Sequence, residues 1–330
     1  MKNIELAFVN KIRKTALGLL KRAAQPARGR LRLGIGDDAA ILGPPGRSQE
    51  LLITTDLLVE GSHFDRSRHP IGALGHKTLA RGLSDIAAMG GEPLYFLLSL
   101  CLPRWFDEKC KKQFFAGLFQ LAASNGVMLI GGDVSAGQRF VADVVVLGAD
   151  RRGRELERGR AEVGDTSYVS GRLGGSALGL AWLKGGFGPK DPAVRRHLYP
   201  TPRLELGRYL AGRLKVRAAL DVSDGLSIDL YRLVMESRVG AEIRLADIPV
   251  FPGATVEQAL HGGEDYELLF TLKPGRKAPA AFQGIPLTAI GIVTAAPTGR
   301  RKARGHPRLT LVGAGGRKTA MPIRGFEHSI

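Results

Sequence analysis

Carboxylates recur in this chain in a pattern that can do chemistry. Asp56 ends "LLITTD", Asp133 ends "VMLIGGD" and Asp221 ends "AALD". Asp224 follows after Val222 and Ser223, and Asp37 follows "LGIG". Each time a short apolar run leads through small residues to an acid. That places the carboxylate at or just past the C-terminal end of a strand, where ligand sites of open α/β sheets lie. Asp85 stands in a predicted helix beside Ser84. Taken singly, an Asp after Gly is a turn former or a cap. For Asp224 before Gly225 the turn is the simpler reading, and for Asp85 a solvated helix face. Six acids in so similar a context argue for a shared role. Carboxylate clusters without His or Cys suit hard cations. Mg²⁺ takes octahedral oxygen ligands, usually one or two carboxylates with water and substrate phosphates. A glycosidase acid/base pair uses two carboxylates and leaves the other four without a role. Within "LGIGDDAAIL", Gly34 and Gly36 let the backbone bend. The expectation is that Asp37 is the ligand and Asp38 holds the turn.

These acids need a scaffold. "ELLITTDLLVEGSHF", "EPLYFLLSLCLP" and "RFVADVVVLGAD" read as strands, and "VMLIGGDVSAG" as a buried strand entering a glycine turn. "IGALGHKTLARGLSDIAAMGG" and "WFDEKCKKQFFAGLFQLAASNG" read as helices stopped by glycine. The polar, glycine-punctuated "RRGRELERGRAEVGD" marks a domain boundary near residue 150. Beyond it come a strand ("TSYVSG"), a glycine-opened helix ("RLGGSALGLAWLKGG") and a helix with Thr201 as N-cap and Pro202 in its first turn. "AALDVSDGLSIDLYRLVMES" is a strand, an acidic turn and a helix. "GAEIRLADIPV", "YELLFTL" and "LTAIGIVTA" are strands, and residues 296–320 a hairpin or mobile segment. Both halves are mixed α/β.

With 330 residues, two domains are the better prior. The net charge of +17 raises nucleic acid as a partner. Its distribution weakens that reading, because the excess sits in residues 1–32 and 297–324 while the middle is close to neutral. Only 6% of residues are aromatic, which offers little for base stacking. The two cysteines, Cys101 and Cys110, exclude a disulfide framework and a four-thiolate zinc site. The N-terminal apolar residues, interrupted by Lys11, Arg13 and Lys14, fit an amphipathic helix (Leu6, Val9, Ile12, Ala16, Leu20) rather than a signal peptide. No run is long enough to span a membrane, so the expectation is a cytoplasmic protein. There is no P-loop, no protein-kinase motif set and no nucleophile elbow. "SGRLGGSALG" lacks dinucleotide-binding spacing, and its glycines either pack a helix on a sheet or expose N–H groups to an anion.

Six stretches occur in order: "GDDAA", "TTDLLVEGSHF", "LSDIAAMGGEP", "GGDVSAG", "LDVSDGL" and "GGEDYELLF". Together they resemble the bacterial thiamine-monophosphate kinases, relatives of aminoimidazole-ribotide synthetase and selenophosphate synthetase. The resemblance runs from about Gly34 to Phe326. It implies an α/β (α+β) fold of two domains, each a mixed sheet packed with helices. Residues 1–150 become an ATP/Mg-binding and dimerisation domain, and 151–330 a C-terminal α/β domain. A homodimer joins through the N-terminal domains. ATP is the phosphoryl donor, several Mg²⁺ ions assist, and thiamine monophosphate is the acceptor. By motif, Asp37, Asp56, Asp85, Asp133, Asp221 and Asp224 become magnesium ligands, helped by Thr54 and Thr55, with Asp133 and Asp224 closest to the chemistry. Thr55, Phe115, Gly132, Arg158 and Ser223 fall on ATP. His63, Glu264 and Phe326 fall on thiamine monophosphate. The family's closing motif reads like "GFDHF", whereas this chain has "GFEHSI", with Glu327 in the acidic place. The competing readings are another enzyme of the superfamily, of the aminoimidazole-ribotide synthetase type, and a basic nucleic-acid-binding protein. Selenophosphate synthetase fits less well, because no Cys stands in the N-terminal glycine-rich region.

Overall fold

The computed structural model describes residue 13 and residues 31–43, 48–151, 153–297 and 309–327. The amphipathic helix expected over Leu6–Leu20 lies outside the described residues apart from Arg13, which pairs with Glu236 at 2.6 Å.

Six strands form the first sheet: β1 (Leu31–Leu33), β2 (Ala40–Leu42), β3 (Gln49–Val59), β4 (Glu92–Leu102), β5 (Met128–Ala136) and β6 (Val141–Arg151), in the order β1-β2-β3-β6-β4-β5. Pairings are antiparallel except β4 with β5. Side chains alternate along β3, so Leu52, Thr54 and Leu58 are buried while Thr55 and Leu57 face outward. Helix α1 (Ile71–Ala88) covers the inner face and packs Leu74, Leu79, Leu83 and Ile86 into one core with Leu52, Phe96, Val144 and Val146. Burying each such side chain contributes about 1.5–3 kcal/mol. Helix α2 (Glu108–Ser124), whose Asp107 cap accepts the Cys110 N–H at 2.8 Å, crosses α1 at closely apposed backbones. A Cβ at Gly75 or Gly117 would strike the facing carbonyl.

The second sheet comprises β7 (Thr166–Ser170), β8 (Ala219–Val222), β9 (Gly240–Arg244), β10 (Glu267–Leu272), β11 (Ala281–Phe282), β12 (Ile285–Thr294), β13 (Leu309–Val312) and β14 (Lys318–Ala320). Its order is β14-β13-β9-β12-β7-β10-β8, with β11 on β12. Only β9 with β13 is parallel. With it go α3 (Gly175–Lys184), α4 (Pro192–Leu198), α5 (Leu204–Tyr209), α6 (Leu226–Ser237) and α7 (Val256–His261). The end of α1 reaches across: Ala88 shares an apolar cluster with Leu206, Leu210, Leu268 and Phe270. One helix therefore serves the first core and the seam between the sheets.

Three local expectations change. "VMLIGGDVSAG" is not a buried strand. β5 is the sheet edge, and Met128, Ile130 and Val134 are 58%, 51% and 64% exposed. Nor does Asp133 end a strand, because β5 continues to Ala136. Thr201 does not cap a helix. α5 begins at Leu204, after Arg203, whose guanidinium is tied to the buried Glu267. Of the segment 296–320, the described part past Leu309 is the antiparallel pair β13–β14.

Candidate active site

Three carboxylates meet at the seam. Oxygens of Asp38 (between β1 and β2), Asp85 (α1) and Asp221 (β8) all lie within 4.8 Å of one another. Hydroxyls fix two of them: Thr54 Oγ1 donates to Asp85 at 2.5 Å and Ser84 Oγ to Asp221 at 2.6 Å. Burial raises the pKa of all three, and the neighbouring acids raise Asp85 and Asp221 further, well above the ordinary carboxylate value. Asp85 and Asp221 line a pocket shared with Asp56, Ser223 and Asp224. The donor set is all oxygen, which fits a hard divalent cation such as Mg²⁺.

The Asp pair is assigned the other way round from the expectation. Asp37 spends both oxygens on backbone, accepting the Asp38 N–H at 2.9 Å and the Arg158 N–H at 2.9 Å. Burial, with Asp38 alongside, pushes its pKa up to about 7. Asp37 is therefore the residue that holds the turn, and Asp38 is the one turned into the acid cluster. The physical reason lies far along the chain, in the backbone of Arg158.

Arginines flank the acids. Arg158 binds Asp38. Arg81 Nη2 lies 2.5 Å from Asp56. Arg232 bridges Asp224 at 2.5 Å and Asp229 at 2.7 Å. Asp229 also accepts the N–H groups of Ser223, Asp224 and Gly225 at 3.1, 3.0 and 3.0 Å, which shapes the "VSDG" turn at the start of α6. Burial raises Asp56 too, opposed by Arg81.

Other groups in the same lining differ in kind: His63, Glu264, Tyr266, His197 and Phe326. The rings of His63 and Phe326 are 5.9 Å apart. Glu264 and Tyr266 adopt positive φ (67° and 50°), and the Glu264 N–H bonds Ser223 O at 2.6 Å. Burial by itself would raise the Glu264 carboxyl. The fully buried Lys77, 2.7 Å away, and His197, 3.4 Å away, instead hold it down at about 2. An ionised carboxylate thus faces a partly aromatic pocket, which suits a cationic ring.

Four expected site residues stand apart in the protomer. Thr54 and Thr55 point to opposite faces of β3: Thr54 reaches Asp85, whereas Thr55 donates to Asp143 at 2.7 Å on the outer face. Asp133 is exposed on that face too, in register with Ser99, itself in register with Asp143. Gly132 (φ 155°) packs against β4, where a Cβ would strike Leu98 O. Phe115 sits on α2, stacked on Phe119 with centroids 5.5 Å apart. Sequence reasoning missed Asp38, Lys77, Arg81, His197 and Arg232. A signal existed for two of them. Lys77, Arg81 and Asp85 recur at i, i+4, i+8 on a helix that is otherwise largely apolar.

The profile for "AIR synthase related protein, N-terminal domain" matches residues 36–149, and that for the C-terminal domain matches residues 162–303. Thiamine-monophosphate kinase of Escherichia coli (strain K12) is 40% identical over 282 residues, covering 80% of this chain and 85% of that one. The enzyme of that name from Bacillus subtilis (strain 168) is 36% identical over 278 residues, covering 79% and 85%. Among solved structures, AaThiL complexed with AMPPCP and TMP is 30% identical, covers 98% of this chain and 96% of its own, and superposes with a TM-score of 0.80. Thiamine-monophosphate kinase from Stenotrophomonas maltophilia K279a is 34% identical, covers 94% and 96%, and has a TM-score of 0.71. With both domain profiles matched in order and the seam built from the stretches that carried the resemblance, the chain belongs to the thiamine-monophosphate kinase family of AIR synthase related proteins.

Proposed function

We infer that this protein transfers the γ-phosphoryl group of ATP to thiamine monophosphate, giving ADP and thiamine diphosphate. The observation that carries the reading is one pocket whose lining combines two kinds of chemistry. Acids that suit a metal–polyphosphate share it with ionised Glu264, His63 and Phe326. The kinases named above, and a related structure holding AMPPCP and TMP, support it.

The acceptor phosphate oxygen is already anionic near neutral pH, so the site needs no strong general base. The new P–O bond forms to the γ-phosphorus as the bond to the β,γ-bridging oxygen breaks, and ADP carries that electron pair away. Positioning and charge neutralisation are what the protein must supply. Asp38, Asp85 and Asp221, with Asp56 and Asp224, would hold magnesium. Bound there, magnesium neutralises the phosphates of donor and acceptor. Thr54 and Ser84 keep their carboxylates aimed inward. Ser223 and Arg158 stand beside the acids and are assigned to ATP. Glu264, His63 and Phe326 hold the cationic end of thiamine monophosphate, with Glu327 replacing the usual acid after the aromatic.

We assign a homodimer to the outer face and edge of the first sheet. Leu57 and Tyr95 on the face are 49% and 42% exposed, and β5 offers an apolar edge, which is a pairing liability in a monomer. A second copy covering it would bring Asp133, Gly132 and Thr55 to the interface, which gives these three residues a route to a site they do not reach within one protomer. A cytoplasmic location fits the free thiols Cys101 and Cys110, and no helix among the described residues is long and apolar enough to cross a membrane.

The test is product analysis with purified protein. Thiamine monophosphate, ATP and magnesium give ADP and thiamine diphosphate in equal amounts. ADP formed at the same rate without thiamine monophosphate refutes the assignment, and a panel of superfamily substrates then identifies the acceptor.

A further inference from the structure

Arg81 is a cation in the wall of a pocket whose chemistry is otherwise assigned to acids and an aromatic. It stands on α1 four residues before Asp85 and so shares its face. A guanidinium carries five donors in a rigid planar fork. Among the described residues this one makes a single hydrogen bond, from Nη2 to Asp56 at 2.5 Å. Its Nε is buried with no partner among those residues. A buried donor without an acceptor is costly, and here it belongs to a side chain that lines an open pocket.

Its position among the charges supplies a use. Arg81 is ion-paired to Asp56, which in turn feels Asp224. Glu264 and Tyr266 line the same pocket within reach of the Arg81 charge, and the close ion pair of Glu264 is with Lys77. The guanidinium is thus in charge contact both with the metal-type acids and with the Glu264 carboxylate. Thiamine monophosphate carries the complementary charges: a cationic thiazolium and a phosphate, whose oxygen must point at the donor. When Glu264 takes the ring, the phosphate falls in the stretch that Arg81 occupies. Planar two-nitrogen contact with a phosphate is what a guanidinium does best.

We propose that Arg81 binds the phosphate of thiamine monophosphate through the unused part of its fork, and thereby selects the phosphorylated acceptor over thiamine. The proposal rests on the functional reading above. Arg81 is here a substrate-binding and specificity residue. A site built to bond a group rejects the analogue lacking it, because the site's own donors are then left unpaired.

The test is calorimetric binding of thiamine monophosphate and of thiamine, each with magnesium and a non-hydrolysable ATP analogue, to the wild type, Arg81→Met and Arg81→Gln. Arg81→Gln keeps a hydrogen-bonding group near Asp56 and carries the test should Arg81→Met not fold. The wild type binds thiamine monophosphate more tightly than thiamine. In either variant that ratio shrinks about ten- to hundredfold, through weaker binding of the phosphate ester alone. In turnover, KM for thiamine monophosphate rises while KM for ATP holds. An unchanged ratio overturns the proposal, and so does a loss confined to the ATP analogue, which would give the fork to the nucleotide. A wild type that binds no thiamine monophosphate instead overturns the functional reading beneath it.

Discussion

Replacing each member of the Asp37–Asp38 pair by Asn separates the two roles assigned to them. Asp38 lies within 4.8 Å of Asp85 and Asp221. At that distance two charged carboxylates repel by about 3.5 kcal/mol with an effective dielectric of about 20. A divalent cation offsets this repulsion, so its affinity depends on how many of the three acids remain. If Asp38→Asn removes about 2 kcal/mol of that attraction, a little over half of one pair, the magnesium Kd rises about thirtyfold. At a concentration 100 times the wild-type Kd, magnesium stabilises the wild type by about 2.7 kcal/mol and the variant by about 0.9 kcal/mol. Asp37→Asn acts differently. Asp37 accepts two backbone N–H groups, and an amide oxygen replaces only part of that. The cost is about 1–2 kcal/mol of stability with and without the metal, and the magnesium gain is kept. The assay is thermal unfolding of both variants with and without magnesium. A magnesium response lost in Asp37→Asn and retained in Asp38→Asn would refute the reasoning.

Three further outcomes follow from the same geometry. Asp85 and Asp221 have pKa values raised well above normal; a raised carboxylate contributes stability below the unfolded value, near 4, and loses it as pH climbs through the folded value. Magnesium needs the deprotonated forms, so its thermal stabilisation grows as pH climbs from the ordinary carboxylate range through the raised folded values, and a gain independent of pH, read by scanning fluorimetry, contradicts the cluster as ligand. Glu264→Gln weakens thiamine monophosphate and thiamine alike by about tenfold, and leaves buried Lys77 unpaired at a cost of about 3–5 kcal/mol; calorimetry and melting of Glu264→Gln beside Lys77→Met/Glu264→Gln check both, and recovered stability in the double variant is expected. Val134→Asp on the exposed β5 edge dissociates the proposed dimer and lowers activity together, whereas Asp133→Asn lowers activity with melting unchanged; a Val134→Asp protein that sediments as a dimer removes β5 from the interface.

Much of the centre was legible because carboxylates do not recur beside small residues by accident of packing. Asp56, Asp85, Asp221 and Asp224 were singled out that way, and the structure brings them together with Ser223 in one pocket lining. The order within the Asp pair was not legible. It depends on the Arg158 backbone, 121 positions from Asp37, and no local pattern encodes that approach. β5 was misread for a related reason. An apolar run looks the same whether it lies inside a sheet or at its edge, and Met128, Ile130 and Val134 face outward on the edge strand. Placing the acids at C-terminal strand ends was a parallel-sheet argument, whereas both sheets are mainly antiparallel. The acids gather because α1 spans the seam and because β3 and β8 carry them mid-strand or near its end. Lys77 and Arg81 were readable in principle, since a polar stripe at helical spacing on a largely buried helix calls for charged partners.

Diffraction from crystals grown with manganese in place of magnesium, a non-hydrolysable ATP analogue and thiamine monophosphate addresses the central claim most directly. The account predicts anomalous peaks bound by Asp38, Asp85 and Asp221, with the γ-phosphoryl group and the acceptor phosphate on the side facing Arg81 and Glu264. Metal held by Asp37 but not Asp38, or an acceptor lying outside the pocket between the two sheets, would contradict it.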